Sequence, residues 1–463
     1  MITTYFIGLF TILNIFYLCL GIFASKSVTS TKDFFLAGKN VGFIATTLTL
    51  VATQIGGGML TGTAEQAYIH GLYGLLYTIG MCIGFTILGL GLAARLQTLG
   101  VSTTAELFEI AYKSPFLRKV ASILSVFTLT GILIAQILAS RTLLRGIGLD
   151  YEFLFIMLWI FVITYTMFGG LKAVIWTDSA QVLVIVGVFA WLFYTSISSD
   201  PKALFTLKNI FRLQRYFFGK NSISTNTMAV TIVMPALFSL IEQDLAQRFF
   251  AARNKGIASL SALCASISLI AFSLIPIYFG IKAKVLGLTV ASGSSPLIPV
   301  LKILTNEFMV AFALCAIMAA ITSTADSILC AISSNLSQDF NYTSSSSKNL
   351  RLAQAITGSV GLFSLACSYI MPQNIIFILV NAYSISVCSL LVPLVFAYLG
   401  LEGSQYTAAI SIIAGGASLA VFSLYPTGIP KEFAALLINF VCYLIFYTLE
   451  SLIKNKNSHN PLK

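Results

Sequence analysis

Residues 47–69, TLTLVATQIGGGMLTGTAEQAYI, begin as an apolar helix and then interrupt it with Gln54 and three consecutive glycines, Gly56, Gly57 and Gly58. Each glycine costs a helix interior about 1 kcal/mol relative to alanine. Broken helices occur at membrane depth only where they are buried in protein or line a watery cavity, because lipid cannot satisfy the freed backbone groups. Such breaks point to a transporter's binding site. Close helix packing through small residues is the alternative reading of the glycines.

The composition places this break in a membrane protein. Only 9% of the 463 residues are charged, 57% are hydrophobic and the mean hydropathy is +0.92, whereas about a quarter of a soluble protein is charged. The net charge of +11 comes from lysines and arginines in short loops between apolar runs. This is the positive-inside pattern of membrane proteins, and it argues against a nucleic-acid partner. The eight cysteines lie in apolar segments without metal-binding spacing and are interpreted as small buried hydrophobes.

Thirteen runs of about 20 apolar residues predict thirteen membrane-spanning helices. They cover 2–24, 40–69, 72–95, 118–144, 150–168, 171–197, 225–250, 256–282, 305–336, 350–371, 373–399, 404–425 and 431–453. An odd number puts the termini on opposite sides, and an outside N-terminus leaves the majority of the positive residues inside. The first run lacks a basic n-region and an obvious cleavage site, so we expect a retained helix and not a signal peptide.

The seventh span repeats the peculiarity of the second. Its interior, PALFSLIEQDLAQR, places Pro235 before the polar residues Glu242 and Asp244. Two interrupted helices at corresponding positions of two five-helix sets are the trace of an inverted repeat. We therefore predict an all-α polytopic membrane protein, with one transport domain over 1–463. Its parts are a first flanking helix, two five-helix repeats and two C-terminal helices, at 2–24, 40–197, 225–399 and 404–453.

The ninth span, within AAITSTADSILCAISSNLSQDF, presents oxygen atoms on one helix face. Ala320, Ser323 and Thr324 fall at spacings of three and four, so one face carries hydroxyls and a possible carbonyl. Hard cations take oxygen ligands, and carbonyls freed in the broken second span at Ala52 and Ile55 could supply more. This pattern predicts a site for a small hard cation. The alternative is that these hydroxyls bond to carbonyls of the preceding helical turn.

Two acidic residues fall inside predicted spans, Asp326 in the ninth and Asp178 in the segment FGGLKAVIWTDSAQ. An intramembrane carboxylate indicates function by default. A salt bridge from Asp178 to Lys172, or a bond to Trp176, is the alternative for that residue. We expect Asp178 and Asp326 to share a cation and therefore to lie within about 10 Å, one Debye length.

The second break carries its own acids. Asp244 and Arg248 stand four residues apart and are expected to pair along their helix. Glu242 has no such partner. We expect Glu242 and Gln54 to face each other across a central cavity near the bilayer midplane, where half-helix ends present free N–H and C=O groups to a ligand.

Four motifs in order, IGGGMLTGTAEQAYIHG, FGGLKAVIWTDSAQ, IEQDLAQRF and AAITSTADSILCAISSNLSQD, resemble the sodium:solute symporter family. The resemblance runs from the first helix to about residue 450. It implies the LeuT-like fold of two inverted five-helix repeats with flanking helices, about thirteen spans in all, and agrees with the count made from hydropathy. Members of this family carry proline, sugars, choline, pantothenate, sialic acid and other small solutes.

The resemblance also assigns ion ligands. The first sodium site maps onto the carbonyls of Ala52, Ile55 and Ala320 and the hydroxyls of Ser323 and Thr324. A second cation site, present in some members, maps onto Asp178, Ser323, Asp326 and Ser327. Asp326 is an extra carboxylate where other members have serine, which could tighten the site or let a proton replace the ion. Gln54 stands where several members have Asp or Asn.

The expected function is sodium-coupled import by alternating access, in a multi-pass protein of the cell membrane that needs only one copy of the chain. The expected solute is an amino acid such as proline or a similar zwitterion. The candidate substrate residues are Gln54, Gly56, Gly57, Gly58, Phe238, Ser239, Glu242, Asn381 and Tyr383. The run GGG-x-x-x-GTAE looks most like the choline branch, but the expected cavity positions lack the tryptophans of an aromatic cage for quaternary ammonium. Choline, pantothenate, another family solute or proton coupling remain alternatives.

Two other classes of protein fit the sequence less well. A membrane-embedded enzyme predicts clustered histidines or paired acids near an interface, whereas the chain has two histidines, His70 and His459. A channel predicts a continuous polar pore, whereas the polar residues here gather at mid-membrane in three spans. Neither an enzyme nor a channel is therefore expected.

Overall fold

The computed structural model describes residues 1–198, 223–290, 295–340, 346–371, 375–425 and 428–458. Regular structure in these ranges is helical, as predicted. The helices are α1 (Ile2–Ser25), α2 (Thr31–Leu36), α3 (Phe43–Gln54), α4 (Thr63–His70), α5 (Leu76–Ile87), α6 (Ala93–Thr98), α7 (Thr104–Tyr112), α8 (Pro115–Gly146), α9 (Glu152–Ser198), α10 (Thr225–Ser239), α11 (Gln243–Ala251), α12 (Lys255–Val285), α13 (Leu297–Leu304), α14 (Glu307–Asp339), α15 (Ser346–Cys367), α16 (Ile375–Leu399), α17 (Gln405–Leu424) and α18 (Lys431–Ser458).

Eleven helical stretches among the described residues are long and apolar enough to cross a membrane. The difference from thirteen has a simple cause. The stretches Gly58–Thr98 and Glu152–Ser198 are 41 and 47 residues long, and each contains parts of two predicted spans. Gly71 and Gly170, with φ of 65° and 55°, break the helical path inside them. The second predicted span, 40–69, begins as α3, which at 12 residues is too short to cross alone, and continues beyond its break into the first of these stretches.

Gly170 shows why a glycine is needed at one of these reversals. Its positive φ is costly for a residue with a side chain. A Cβ there would also lie 2.4 Å from the Phe34 carbonyl oxygen in α2. The predicted fifth and sixth spans therefore meet at a point fixed by α2.

The core is built around α14. In its most apolar stretch 83% of the residues are buried, against 17% in α1 and 22% in α18. It contacts α8, α9 and α1 along its length. A helix buried on all sides can carry polar groups without exposing them to lipid, and this is the helix that carries Ser323, Thr324 and Asp326.

The two interrupted helices are joined to each other at one end. Just before α3, Val41 receives a backbone hydrogen bond at its carbonyl from Arg253 and donates one to the Ala251 carbonyl, at 3.0 and 3.1 Å. Arg253 Nε also donates to Asn40 Oδ1 at 2.9 Å. The start of the first broken helix and the end of the second thus form a short parallel bridge, as expected for repeats of opposite orientation.

Candidate ion and solute sites

The first break brings backbone carbonyls to the hydroxyls of α14. The helix α3 ends at Gln54 and a π-helical turn begins at Gly58. Across this gap Ser323 Oγ donates to the Ala52 carbonyl at 3.2 Å and Thr324 Oγ1 donates to the Thr53 carbonyl at 2.9 Å. The hydroxyls also reach the Ala320 carbonyl of their own helix, at 3.0 and 3.2 Å. A cluster of oxygen atoms therefore lies where α3 loses its helical path.

The oxygen atoms of this cluster match the predicted sodium ligands except that the Thr53 carbonyl is added and, among the described residues, no contact of the Ile55 carbonyl is seen. Ala52, Ala320, Ser323 and Thr324 are brought together, and Thr53 adds a carbonyl. Ile55 is buried and has left the helix, with φ −79° and ψ 61°. The bonding to carbonyls of the same helix, expected as an alternative for isolated hydroxyls, coexists here with bonds across the break.

The glycines of the break allow the close approach. A Cβ on Gly56 would lie 2.5 Å from Thr324 Oγ1, and one on Gly57 would lie 3.1 Å from the Ala139 Cβ. The Gly57 N–H donates to Gln136 Oε1 of α8 at 3.1 Å. Gln136 thus satisfies one backbone group that the break frees, which the sequence did not predict.

Asp178 pairs with a positively charged side chain of the protein itself, Arg248. Its carboxylate forms a salt bridge with Arg248, Nη2 to Oδ2 at 3.1 Å, and both side chains are fully buried. Thr49 Oγ1 donates to the same oxygen at 2.5 Å and accepts from Arg248 Nε at 2.9 Å. The expected pairing of Arg248 along its own helix is therefore wrong in detail, since Nη1 reaches only the backbone carbonyl of Asp244, at 2.7 Å. Lys172, the other expected partner of Asp178, points to the Ser27 carbonyl at 3.5 Å.

Asp326 lies beside this ion pair. Ser327 Oγ is 3.4 Å from Asp178 Oδ2 and 3.5 Å from Asp326 Oδ1, so the two carboxylates are well within the expected distance of about 10 Å. Ser327 also accepts a short hydrogen bond from Arg248. Tyr165 donates to Asp326 Oδ2 at 2.6 Å. Two acids and one arginine leave this buried cluster with one uncompensated negative charge when both acids are ionised.

The second break faces the first. The helix α10 ends at Ser239 and α11 begins at Gln243, and the Glu242 carboxyl group between them lies beside the Gln54 side chain and the Asp244 carboxyl group. Glu242 and Asp244 are buried. Gln54 and Glu242 therefore lie side by side, and not across the cavity that was expected between them.

Aromatic rings lie between Gln54 and Glu242 and a large cavity. Phe238 stacks on Tyr383 of α16 with centroids 4.4 Å apart, and the Tyr383 hydroxyl meets that of Tyr77 from α5 at 3.1 Å. On one side of these rings lies a cavity of about 660 Å³ lined by Gly58, Tyr77 and Tyr383. Gln54 and Glu242 do not line it, so the large cavity is not the one expected between the breaks.

Asn381 and Ser239, two further candidate residues, do not line the large cavity but bond to residues that do. Asn381 Oδ1 accepts from Lys431 Nζ at 3.1 Å, at the end of α18 that lines the cavity. Ser239 packs against Gly84 of α5, and its hydroxyl donates to the Pro235 carbonyl at 2.9 Å. The cavity lies at the C-terminal end of α4 and the N-terminal ends of α10 and α18, which the topology predicted from the sequence places outside.

Comparison with known proteins gives the same fold. The sequence model of the sodium:solute symporter family matches residues 34–408. A Na⁺-coupled sialic acid symporter, solved substrate-bound and outward-open with a novel Na⁺ site, is 18% identical, with a TM-score of 0.79 and 97% of each chain covered. The nucleobase-cation-symport-1 family transporter Mhp1, closed with bromovinylhydantoin bound, is 13% identical with a TM-score of 0.62, covering 91% of this chain and 94% of that one. MhsT in complex with L-phenylalanine is 15% identical with a TM-score of 0.54, covering 88% and 98%.

Proposed function

Since the chain belongs to the sodium:solute symporter family and has the LeuT-like fold, we propose that it imports a small zwitterionic solute, such as proline or another amino acid, by sodium-coupled alternating access. It is a multi-pass integral membrane protein, and sodium-coupled symport is the activity of its family. The solute is the finer part of the proposal. The observation that carries the coupling is the contact of the Ser323 and Thr324 hydroxyls with the carbonyls of α3 across the first break.

Sodium would take the place of the direct hydrogen bonds in this cluster. Its ligands in the proposal are the carbonyls of Ala52, Ile55 and Ala320 and the hydroxyls of Ser323 and Thr324, with the Thr53 carbonyl nearby. An ion held by both α3 and α14 fixes the break in one geometry. Solute binding at the same break then becomes more favourable, and the effect is reciprocal, typically 1–3 kcal/mol.

Arg248 compensates only one of the two carboxylates of Asp178 and Asp326. The remaining negative charge supports a second monovalent cation. We place it at Asp326 and Ser327, with Asp178 held in position by the arginine. A buried charge without a partner is expensive, so a cation or a proton there stabilises the cluster. Sodium and a proton remain the two candidates for this position.

The charges around the two breaks support a zwitterion. Glu242 supplies a carboxyl group for an amine, and Gln54 lies beside it. Free backbone N–H groups at half-helix ends suit a carboxylate, although the N–H of Gly57 is already bonded to Gln136. Phe238 and Tyr383 would pack on the apolar part of the solute, and rotation of these rings would admit it from the large cavity.

An uptake screen in proteoliposomes tests the proposal. The panel is radiolabelled amino acids, choline, pantothenate and sugars, with an inward sodium gradient and an equal potassium gradient as the matched control. We expect one zwitterion to accumulate only with sodium. Accumulation of choline, pantothenate or a sugar would overturn the choice of solute, and equal accumulation with potassium would overturn sodium coupling.

A further inference from the structure

Two buried carboxyl groups face each other at the start of α11. Glu242 and Asp244 are 9% and 0% exposed, and their carboxyl groups interact directly. The N–H groups of Asp244 and Leu245 point toward the Asp244 carboxyl group, but neither of its oxygens has a hydrogen-bond donor by ordinary geometry. Ionised carboxylates can only accept hydrogen bonds. If both groups were ionised, two buried carboxylates would face each other with no hydrogen-bond donor between them, which is unfavourable.

Among the described residues no side-chain cation bonds directly to either carboxyl group, although the charge of Arg248 acts on both. Arg248 directs its side-chain nitrogens to Asp178, Thr49, Ser327 and the Asp244 backbone carbonyl. Nearest the pair are the uncharged amide of Gln54 and the hydroxyls of Tyr77 and Tyr383. Charged groups on the other packed elements are engaged or exposed: Asp326 accepts from Tyr165, Asp33 from Ser30, Lys39 donates to the Gly100 carbonyl, and Lys32 and Arg95 are exposed.

A small cavity lies against Glu242. Its volume is about 10 Å³, and it is lined by Glu242 together with the hydroxyl residues Ser125, Thr128 and Ser386. A volume of this size holds about one water molecule. Residues of α7 also line it, which puts its far end toward the side expected to be inside.

We propose that Glu242 and Asp244 bind one proton between them. The proton forms an O–H bond with one carboxyl group and a hydrogen bond with the other, and no electrons are transferred. Two carboxylates that share a site hold a proton in this way because both cannot ionise at close range. The bound proton supplies the donor that Asp244 lacks and halves the charge of the pair.

Infrared spectroscopy of the purified full-length protein at neutral pH tests the proton directly. We expect a protonated carboxylic-acid C=O band that shifts in D₂O, and a loss of intensity equivalent to one carboxyl group in both Glu242→Gln and Asp244→Asn. Glu307→Gln is the matched control, since Glu307 is half-exposed and pairs with the N-terminal amine. Heavy-isotope glutamate or aspartate in the wild-type chain provides a second reading that requires no folded variant.

Three results would contradict the shared proton. The first is full band intensity in both variants, and the second is loss in only one of them, which would assign the proton to a single group. The third is an isotope-labelled wild-type protein in which neither glutamate nor aspartate shifts the band. None of these measurements uses solute or a sodium gradient, so their failure leaves the transport proposal standing.

Discussion

Gly56 leaves no room for a side chain beside the Thr324 hydroxyl, since an added Cβ would lie 2.5 Å from it. Gly56→Ala must therefore move a proposed sodium ligand. We expect the sodium concentration for half-maximal uptake to rise about tenfold, the equivalent of 1.4 kcal/mol. Uptake measured against sodium concentration checks this, with Gly187→Ala, which meets nothing within 4 Å, as control. Unaltered sodium dependence in Gly56→Ala would remove Thr324 from the ion site.

Arg248 offers a test of the buried ion pair. Arg248→Gln leaves Asp178 charged in a fully buried position, and breaking such a pair typically costs 3–5 kcal/mol. We expect a marked fall in the thermal unfolding temperature of the purified protein. Adding Asp178→Asn to the same chain removes the uncompensated charge and should recover part of the loss. A double variant no more stable than Arg248→Gln would show that the pair does not act as a unit.

The position of a residue was predictable where one helix carries the whole pattern. That Ser323 and Thr324 share a face of α14 with Ala320 follows from their spacing alone. The partner of Asp178 does not, because the pairing rule for residues four apart considers only the helix that contains Arg248. The guanidinium instead crosses to α9, and neither Thr49 nor Tyr165 carries a signal in the sequence that would place it at Asp178 or Asp326.

At the scale of elements, α7 is tied to both α11 and α14 at the end expected to be inside. The Thr104 N–H donates to Gln243 Oε1 at 2.7 Å. Arg118, at the start of α8, donates to Asp339 Oδ1 and Glu109 Oε2, each at 2.8 Å. Thr104 and Gln243 both line the small cavity beside Glu242. In the transport proposal these bonds part when a solute is released toward the inside.

Breaking the hydrogen bonds of Arg118 should open the small cavity beside Glu242 to the inner solution. A Thr128→Cys substitution places a reporter thiol in this cavity. We expect Arg118→Gln to increase several-fold the rate at which this thiol reacts with a polar reagent added from the inside. The eight native cysteines are first replaced. Arg95→Gln, which alters an exposed charge, is the matched control. An unchanged reaction rate in Arg118→Gln would mean that Arg118 does not close the cavity.

The two breaks were predicted closely. The sequence indicates one at Gln54 and the three glycines and the other between Pro235 and Asp244, and helical structure is lost between Gln54 and Gly58 and between Ser239 and Gln243. Pro235 itself remains inside α10. The contact between the aromatic rings beside the breaks was not foreseen. Contact of Phe238 with Tyr383 depends on how α10 and α16 are set against each other, and hydropathy along one chain carries no information about that register.

In the molecule as a whole, the aromatic rings of Tyr77, Phe238 and Tyr383 lie between a large cavity and the contact of the two broken helices. A carrier opens such a site to one side at a time, whereas a channel needs a continuous path. We expect counterflow: excess unlabelled solute inside proteoliposomes should drive transient uptake of labelled solute at equal sodium on both sides. Monotonic equilibration without the overshoot would indicate a channel.

In the proposed mechanism one sodium ion joins the first break to α14. Equilibrium binding of radioactive sodium to the purified protein, without solute, measures this ion most directly. We expect saturable binding that Thr324→Ala and Ser323→Ala each weaken about tenfold, equivalent to 1.4 kcal/mol. Ser268→Ala, whose exposed hydroxyl bonds within α12, should leave it unchanged. Sodium binding of wild-type affinity in both α14 variants would contradict it.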